Sequence, residues 1–342
     1  METLLPDARN IETEITKLFL HLLGRAPREP ELANWVARAT RQEQSFAELF
    51  TQVIQSQDYK AKGNVITSHP PGHFYSPVVN SAELAAAGFE VKRDVPLNSL
   101  LGLDLDETVM KATFDLLAPF IGSHRFPVEK REGERYYINN GFFPHGDGAI
   151  LAAMVAAKRP KRIIEIGSGF STACMLDSIE RNGLDTRITC VEPFPVRLRA
   201  NLTPKDAAIV KIVEAKVQAT DPELYRDLEP NDILFIDSTH VMKTGSDVCF
   251  ELFEILPRLK PGVIVHIHDI QYPFEYPDVW IFDKKRSWNE IYAVRAFLMY
   301  NSRFEVIYFN NYYGRAHAAQ LDAAYGEPIK NPGGGIWMRV LG

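Results

Sequence analysis

Ile163-Ile164-Glu165-Ile166-Gly167-Ser168-Gly169 decides the fold. Ile163 to Ile166 read as a short buried strand. Gly167 and Gly169 turn the chain tightly, and Ser171-Thr172 opens a helix. Where glycines end a strand, no Cβ stands between the backbone and a ligand. The helix N-terminus that follows offers free N–H groups to an anionic or polar group. Arg187 to Val191 predicts the next strand, which ends in Glu192. An acid at the tip of the second strand, about 20 residues or more past the glycines, suits a two-pronged grip on ribose hydroxyls. The stretch therefore predicts an adenosine-containing ligand on an open α/β sheet.

The same alternation runs to the C-terminus. A strand over 162–166 and a helix over 171–182 lead to a strand over 187–191 and a helix over 196–202. Further strands follow near 208–213 and over 233–236, the latter ending in Asp237. A helix at about 246–259 runs into Lys260-Pro261-Gly262 and a strand over 263–268. Another helix ends at Met299-Tyr300, and the apolar runs 304–309 and 335–340 fit an antiparallel pair at the sheet edge. Strands alternating with helices predict a doubly wound, Rossmann-like sheet.

In such sheets ligands sit beyond the carboxyl ends of the strands. Two of those ends are rich in ionisable groups: Asp237-Ser238-Thr239-His240 and His266-Ile267-His268-Asp269. Converging carboxylates and imidazoles read as a metal site or an acid/base site. Carboxylates suit hard ions such as Mg²⁺, and imidazole shifts the preference toward transition metals. A metal-free reading makes His240 or His268 the general base on a substrate hydroxyl. His266 reads as a buried histidine hydrogen-bonded within the sheet.

The choice of adenosine ligand turns on Thr172, which stands where a dinucleotide fingerprint has its third glycine. Glu165-x-Gly167-x-Gly169 followed by Glu192 resembles motif I of class I S-adenosylmethionine (SAM) methyltransferases. The resemblance implies the seven-stranded fold of that class, with the glycine turn under the methionine part of SAM and Glu192 on the ribose. It gives Glu165, Gly167, Ser168, Gly169, Ser171, Glu192 and Asp237 as the cofactor set. The strand-end cluster resembles the divalent-metal branch of the O-methyltransferases. That implies Mg²⁺ or another divalent ion on Asp237, His268 and Asp269, with His268 where the branch often has an acid. Asp237, His240 and His268 are then the catalytic candidates. The block 233–313 also resembles a group of bacterial methyltransferases.

Upstream, residues 11–59 predict three short helices. Ile11, Ile15, Leu18 and Leu22 share one face, and Gly24 stops the first helix. Leu32, Trp35 and Val36 mark the second, and Phe46, Leu49, Phe50 and Val53 the third. Leu22 to Pro27, Glu31 to Trp35 and Gln55 to Tyr59 resemble a small helical module found in bacterial surface proteins and glycan-synthesis enzymes. The expected organisation is a docking or oligomerisation module over 1–60, a linker over 61–80, a helical lid region over 81–158 and a SAM-binding domain over 159–342. Aromatic and amide side chains in the linker, the lid and the long loop Gln271 to Ser287 give acceptor candidates: Tyr75, Tyr137, Asn139, Asn140, Tyr272 and Trp288.

Bulk properties narrow the function. The chain has 342 residues, 46% hydrophobic, with a net charge of −6. That balance gives no electrostatic footprint for nucleic acid. Cys174, Cys190 and Cys249 are widely spaced and read as reduced core residues rather than a zinc site. No apolar run has the length of a membrane span, and the N-terminus has no signal-like core, so the expected location is cytoplasmic. The expected activity is SAM-dependent O-methylation of a polar small molecule such as a sugar or glycan precursor. The helical module would serve a homo-oligomer or a partner protein. N-methylation, a metal-dependent hydroxylase and a non-enzymatic scaffold stay open as alternatives.

Overall fold

Short runs of Ile, Val, Leu and Phe bounded by Gly, Pro and Asp make strands, those at the centre of the sheet buried on both faces. In the computed structural model they are β1 (Arg162–Ile166), β2 (Arg187–Val191), β3 (Val210–Val213), β4 (Ile233–Ile236), β5 (Ile264–His268), β6 (Phe304–Phe309) and β7 (Gly335–Val340). The structure describes residues 8–23, 25–41, 46–61, 69, 71–92, 94–123 and 125–342. The expected helix stop at Gly24, and Gly63 and Pro70 of the expected linker, lie outside these residues.

The seven strands form one sheet in the order β3-β2-β1-β4-β5-β7-β6. β1 to β5 run parallel, and β7 pairs antiparallel with both β5 and β6. This is the sheet of the class I methyltransferase fold. The strand order reverses between β1 and β4, so a crevice opens beyond their carboxyl ends. β4 and β5 are buried along their whole length, while edge strand β3 is only partly covered.

Several expectations shift by a residue or two. The helix expected over 171–182 is Phe170–Arg181, and the lid helices are Glu107–Ile121 and His145–Lys158. The single helix expected over 246–259 is a composite: Asp247–Phe250 is α, Glu251–Ile255 widens to π geometry, and Leu256–Arg258 tightens to 3₁₀. Two helices that the apolar pattern does not reveal, Asn310–Ala316 and Ala318–Tyr325, separate β6 from β7. Asn310 and Asn311 hold the first of them by tertiary bonds, to Asp147 and to Tyr272, so local propensity gives no sign of it.

The chain divides into two units, residues 1–76 and 77–342. In the first, helix Ala8–Leu23 buries Ile11, Ile15, Phe19 and Leu23 on one face. This corrects the expected stripe. Strict four-residue spacing brings Phe19 and Leu23 inward and leaves Leu18 only partly buried; the Leu22 side chain lies outside the described set. Phe19 meets Trp35 edge-on at 5.6 Å, and Arg25 bridges Glu31 and Asp58. No helix among the described residues is long and apolar enough to cross a membrane.

Candidate functional site

The glycine turn after β1 is shaped by close approach. Gly167 has φ +76°, and a Cβ there would lie 1.8 Å from the Asp237 carbonyl oxygen. Only glycine lets the two strand ends meet in this way. Glu165 lies beneath the turn with no exposure. It accepts from Ser171 Oγ at 2.6 Å and from Thr172 Oγ1 at 2.5 Å, and Thr172 Oγ1 accepts from Gly169 N at 3.2 Å. Burial pushes the Glu165 carboxyl up to about 7, against the pull of those hydroxyls. Glu165 and Ser171 therefore brace the turn from within instead of opening onto a ligand.

Glu192 is placed differently. Its carboxylate accepts from Ser168 N at 3.1 Å and from Phe194 N at 2.8 Å. An ionised carboxylate has about four acceptor positions, so further ones stay available. Glu192, Gly167, Asp237, Ser238 and Lys243 wall a cavity of about 500 Å³, a volume suited to a nucleoside-sized ligand. The residues fit SAM: backbone brought close by Gly167, with a carboxylate at the tip of the second strand.

The polar cluster lies on the far side of Asp237. His240 Nε2 stands 3.4 Å from Asp237 Oδ1 and 3.6 Å from Asp269 Oδ2, while its Nδ1 meets Glu290 Oε2 at 2.8 Å. His268 Nε2 is 3.6 Å from Asp269 Oδ1. His240 (φ +61°) and Asp269 (φ +57°) both adopt left-handed backbone. That conformation is uncommon for residues with a side chain, and it persists where the surroundings enforce it. Asp247 enforces it on one side by accepting from Thr239 N and Oγ1 at 3.0 and 2.7 Å. On the other, the carbonyl of His240 accepts from the backbone N–H groups of Asn289 and Glu290.

Charge follows from this geometry. Burial lowers the His240 imidazole, but Asp237 and Glu290 reverse that and hold it well above its usual range. Burial raises Asp237, but His268 and His240 hold it below the usual carboxylate range. Asp269 stays raised by burial despite both histidines. His268 is raised, because Asp237, Asp269 and Asp147 outweigh its burial. His266 is the exception. It is packed between Phe235 and Trp337 at 4.4 and 4.3 Å, and burial drives it well below 6.5. It is neutral core, and its contact with His268 Nδ1 at 3.5 Å is its side-chain link.

The metal set Asp237, His268 and Asp269 has suitable donor chemistry. Among the described residues, however, no three His, Cys, Asp or Glu side chains are arranged to hold an ion. The space between Asp237 and Asp269 is taken by His240 Nε2. The side chains as placed do not fit a resident metal.

The acceptor candidates separate. Trp288 lies against His240 at 4.4 Å. Asn140 is used within its own loop, accepting from Phe142 N and Phe143 N and donating to Tyr137 O and Phe143 O. Asn139 donates to Glu129, Tyr137 packs edge-on against Phe170 at 5.4 Å, and Tyr272 is buried with its hydroxyl on Val95 O. Tyr75 belongs to the first unit and is exposed. The lid reaches the cluster through its phenylalanines instead: Phe143 lies 5.0 Å from His268, and Phe142 carries Arg197 on its ring at 3.8 Å. Buried Arg135 anchors that lid to Asp177 and Asp206 at 2.7 and 2.8 Å.

Sequence reading leaves out Asp147 and the Gly333-Gly334-Gly335 run as site residues. Asp147 accepts from Gly334 N at 2.9 Å, and burial raises it to about 7, with Asp269 and Asp237 adding to the rise. A Cβ on Gly333 would meet Asp147 at 2.2 Å, and one on Gly335 would meet His266 at 2.4 Å. The glycine run itself was the available signal.

Residues 164–270 match the family model described as a methyltransferase domain. An uncharacterized protein of Archaeoglobus fulgidus is 31% identical over 169 residues, 48% of this chain and 75% of that protein. Among solved structures, a SAH-bound methyltransferase of Podospora anserina is 16% identical, covering 74% of this chain and 100% of its own, with a TM-score of 0.37. An O-methyltransferase of Streptomyces achromogenes involved in tomaymycin synthesis is 15% identical, covering 70% and 92%, with a TM-score of 0.35. Likenesses of that size decide nothing about activity. The chain shares its family with the archaeal protein, its sheet has the strand order of the class I methyltransferase fold, and residues 164–270 match a methyltransferase domain.

Proposed function

We propose that the protein methylates a hydroxyl of a polar small molecule, such as a sugar or glycan precursor, with His240 as the proton acceptor. The observation that carries this is the Glu290–His240 pair, whose outer nitrogen faces Asp237 at the edge of the glycine turn. A buried carboxylate on Nδ1 fixes the imidazole's orientation and raises the basicity of the other nitrogen. Glu290 is 2% exposed and His240 is 5% exposed, so water competes little for either.

When bound, SAM supplies an electrophilic methyl: its sulfonium C–S bond breaks as the acceptor's C–O bond forms, and S-adenosylhomocysteine leaves as a neutral thioether. Glu192 would hold the ribose, and the Gly167 turn would carry the methionine end. His240 Nε2 would take the hydroxyl proton, and Asp237 and Asp269 would stabilise the imidazolium that forms. Trp288 and Phe143 would keep solvent off the reacting atoms. Positioning of this kind supplies a large share of the acceleration in two-substrate transfers.

The test is calorimetry of the full chain with S-adenosylhomocysteine, followed by transfer of a labelled methyl to a panel of polyhydroxylated acceptors. Saturable binding and label recovered as a methyl ether are expected. Absence of binding, or label recovered only on nitrogen, overturns the reading.

A further inference from the structure

The loop between β5 and the helix Glu290–Leu298 carries a guanidinium that the methyl-transfer reading does not use. The guanidinium carbon of Arg286 lies over two indoles, 4.6 Å from the Trp280 centroid and 4.0 Å from that of Trp288. The two rings meet edge-on at 5.4 Å, and Tyr276 packs against both, at 6.0 and 5.9 Å. The rings stand 77° apart, so the planar guanidinium can lie flat on one of them at most. Its in-plane N–H edge is the part that grips carboxylates and phosphates in pairs. Among the described residues no carboxylate lies within 4.0 Å of Arg286, and its side chain makes no hydrogen bond.

Arg286 is held against aromatic side chains, and its N–H groups have no partner among the described residues, which leaves them available to a ligand. Its position relative to the chemistry is set by Trp288, which touches both the guanidinium and the His240 ring. Its charge also reaches Asp269, opposing the effect of burial on that carboxyl. Lys284 and Lys285 precede it and are exposed, next to Asp283.

We propose that Arg286, held on its tryptophan shelf, anchors a carboxylate or phosphate on the methyl acceptor while the acceptor's hydroxyl lies at His240. This rests on the methyltransferase reading and narrows its substrate class to anionic polyols, such as sugar phosphates or sugar acids. Arg286 is a specificity-determining residue in this account; it takes no part in the proton transfer.

The experiment titrates the full chain, saturated with S-adenosylhomocysteine, with glucose 6-phosphate, glucuronate and glucose. Binding of one or both charged sugars at least about tenfold tighter than glucose is expected, because charge-assisted pairs are roughly twice as strong as neutral ones. Which charged sugar binds assigns the anion. Arg286→Gln should bring the charged sugars down to the level of glucose, and Arg286→Lys should retain part of the phosphate affinity. S-adenosylhomocysteine affinity should be unchanged in both variants, which also reports that they are folded. Equal binding of charged and neutral sugars, or Arg286→Gln binding like the parent, overturns the proposal. Failure to bind S-adenosylhomocysteine at all would instead strike the methyltransferase reading beneath it.

Discussion

The turn after β1 and the cluster beyond β4 and β5 lie side by side at Asp237, yet they are built on opposite principles. The turn is mostly backbone: Gly167 lets the chain pass the Asp237 carbonyl, and Glu165 braces it from beneath through Ser171 and Thr172. Its residues fall within a stretch from 165 to 192. The cluster is almost all side chain, and its members come from positions 147, 237, 240, 268, 269 and 290. The first region should fail by steric exclusion, abruptly. The second should fail by graded loss of charge and orientation.

The sharpest break is expected at Gly167. In Gly167→Ala the new Cβ falls 1.8 Å from the Asp237 carbonyl, at a φ of +76° that favours glycine. Strain of this kind costs about 1–3 kcal/mol before any clash is counted. S-adenosylhomocysteine binding should be lost, and the melting temperature should fall, as read by calorimetry and circular dichroism. Binding that survives intact would mean that the strand ends are not held together in this way.

Next in size is the cluster. His240→Ala should slow methyl transfer by roughly 10²–10⁴-fold, the usual weight of a general base, with S-adenosylhomocysteine affinity nearly unchanged. Glu290→Gln should slow it less and move its pH profile. A base works deprotonated, so activity rises with pH through the His240 pKa. Burial lowers that pKa, and Asp237 and Glu290 raise it well above 6.5. Removing the Glu290 charge therefore lowers it, and the rising limb should move to lower pH. A limb that stays put in Glu290→Gln would take His240 out of the role of base and leave His268 as the candidate.

The contrast between the two regions also explains what could be read from the sequence. Glycines and acids at fixed offsets from a strand are local signals, so β1, β2, β4, β6 and β7 and the positions of Gly167 and Glu192 follow from the chain directly. Asp237, His240, His268 and Asp269 are visible because they end strands. Their arrangement is not, because it depends on a left-handed backbone at His240 and on Glu290, which arrives from the far side of a long loop. Asn289 shows the same limit. Its amide would suit a helix cap, yet its side chain accepts from Met242 N at 2.6 Å and donates to Met242 O at 3.1 Å. Asn140 reads as a ligand contact for its amide, but its loop uses that amide fully. Tertiary partners decide such residues, and a linear pattern does not contain them.

Glu192→Ala tests the turn more gently than Gly167→Ala. The carboxylate already accepts two backbone N–H groups, of Ser168 and Phe194, so its loss also loosens the glycine turn. A fall of about tenfold in S-adenosylhomocysteine affinity is expected from losing hydrogen bonds to a charged group, in a protein that stays folded. Unchanged affinity by calorimetry would remove Glu192 from the cofactor site.

The smallest expected effect is that of a chelator. Two carboxylates at neighbouring strand ends are costly to keep ionised together without positive charge between them. In the metal-dependent reading a divalent ion supplies that charge. Here Asp237 and Asp269 both face the same His240 nitrogen, at 3.4 and 3.6 Å, and Glu290 behind it helps keep the ring protonated in the resting site. An imidazolium in that position does the electrostatic work of an ion, and it becomes the base once it gives up its proton. Occupied Nε2 geometry also leaves Asp237, His268 and Asp269 without a shared centre for a metal. Methyl transfer should therefore change less than about twofold in excess chelator, well below the tenfold that corresponds to one pKa unit of interaction. Added Mg²⁺ or Mn²⁺ should not raise it. A deep loss restored by either ion would show that His240 swings aside on substrate binding and that the carboxylates close on a metal after all.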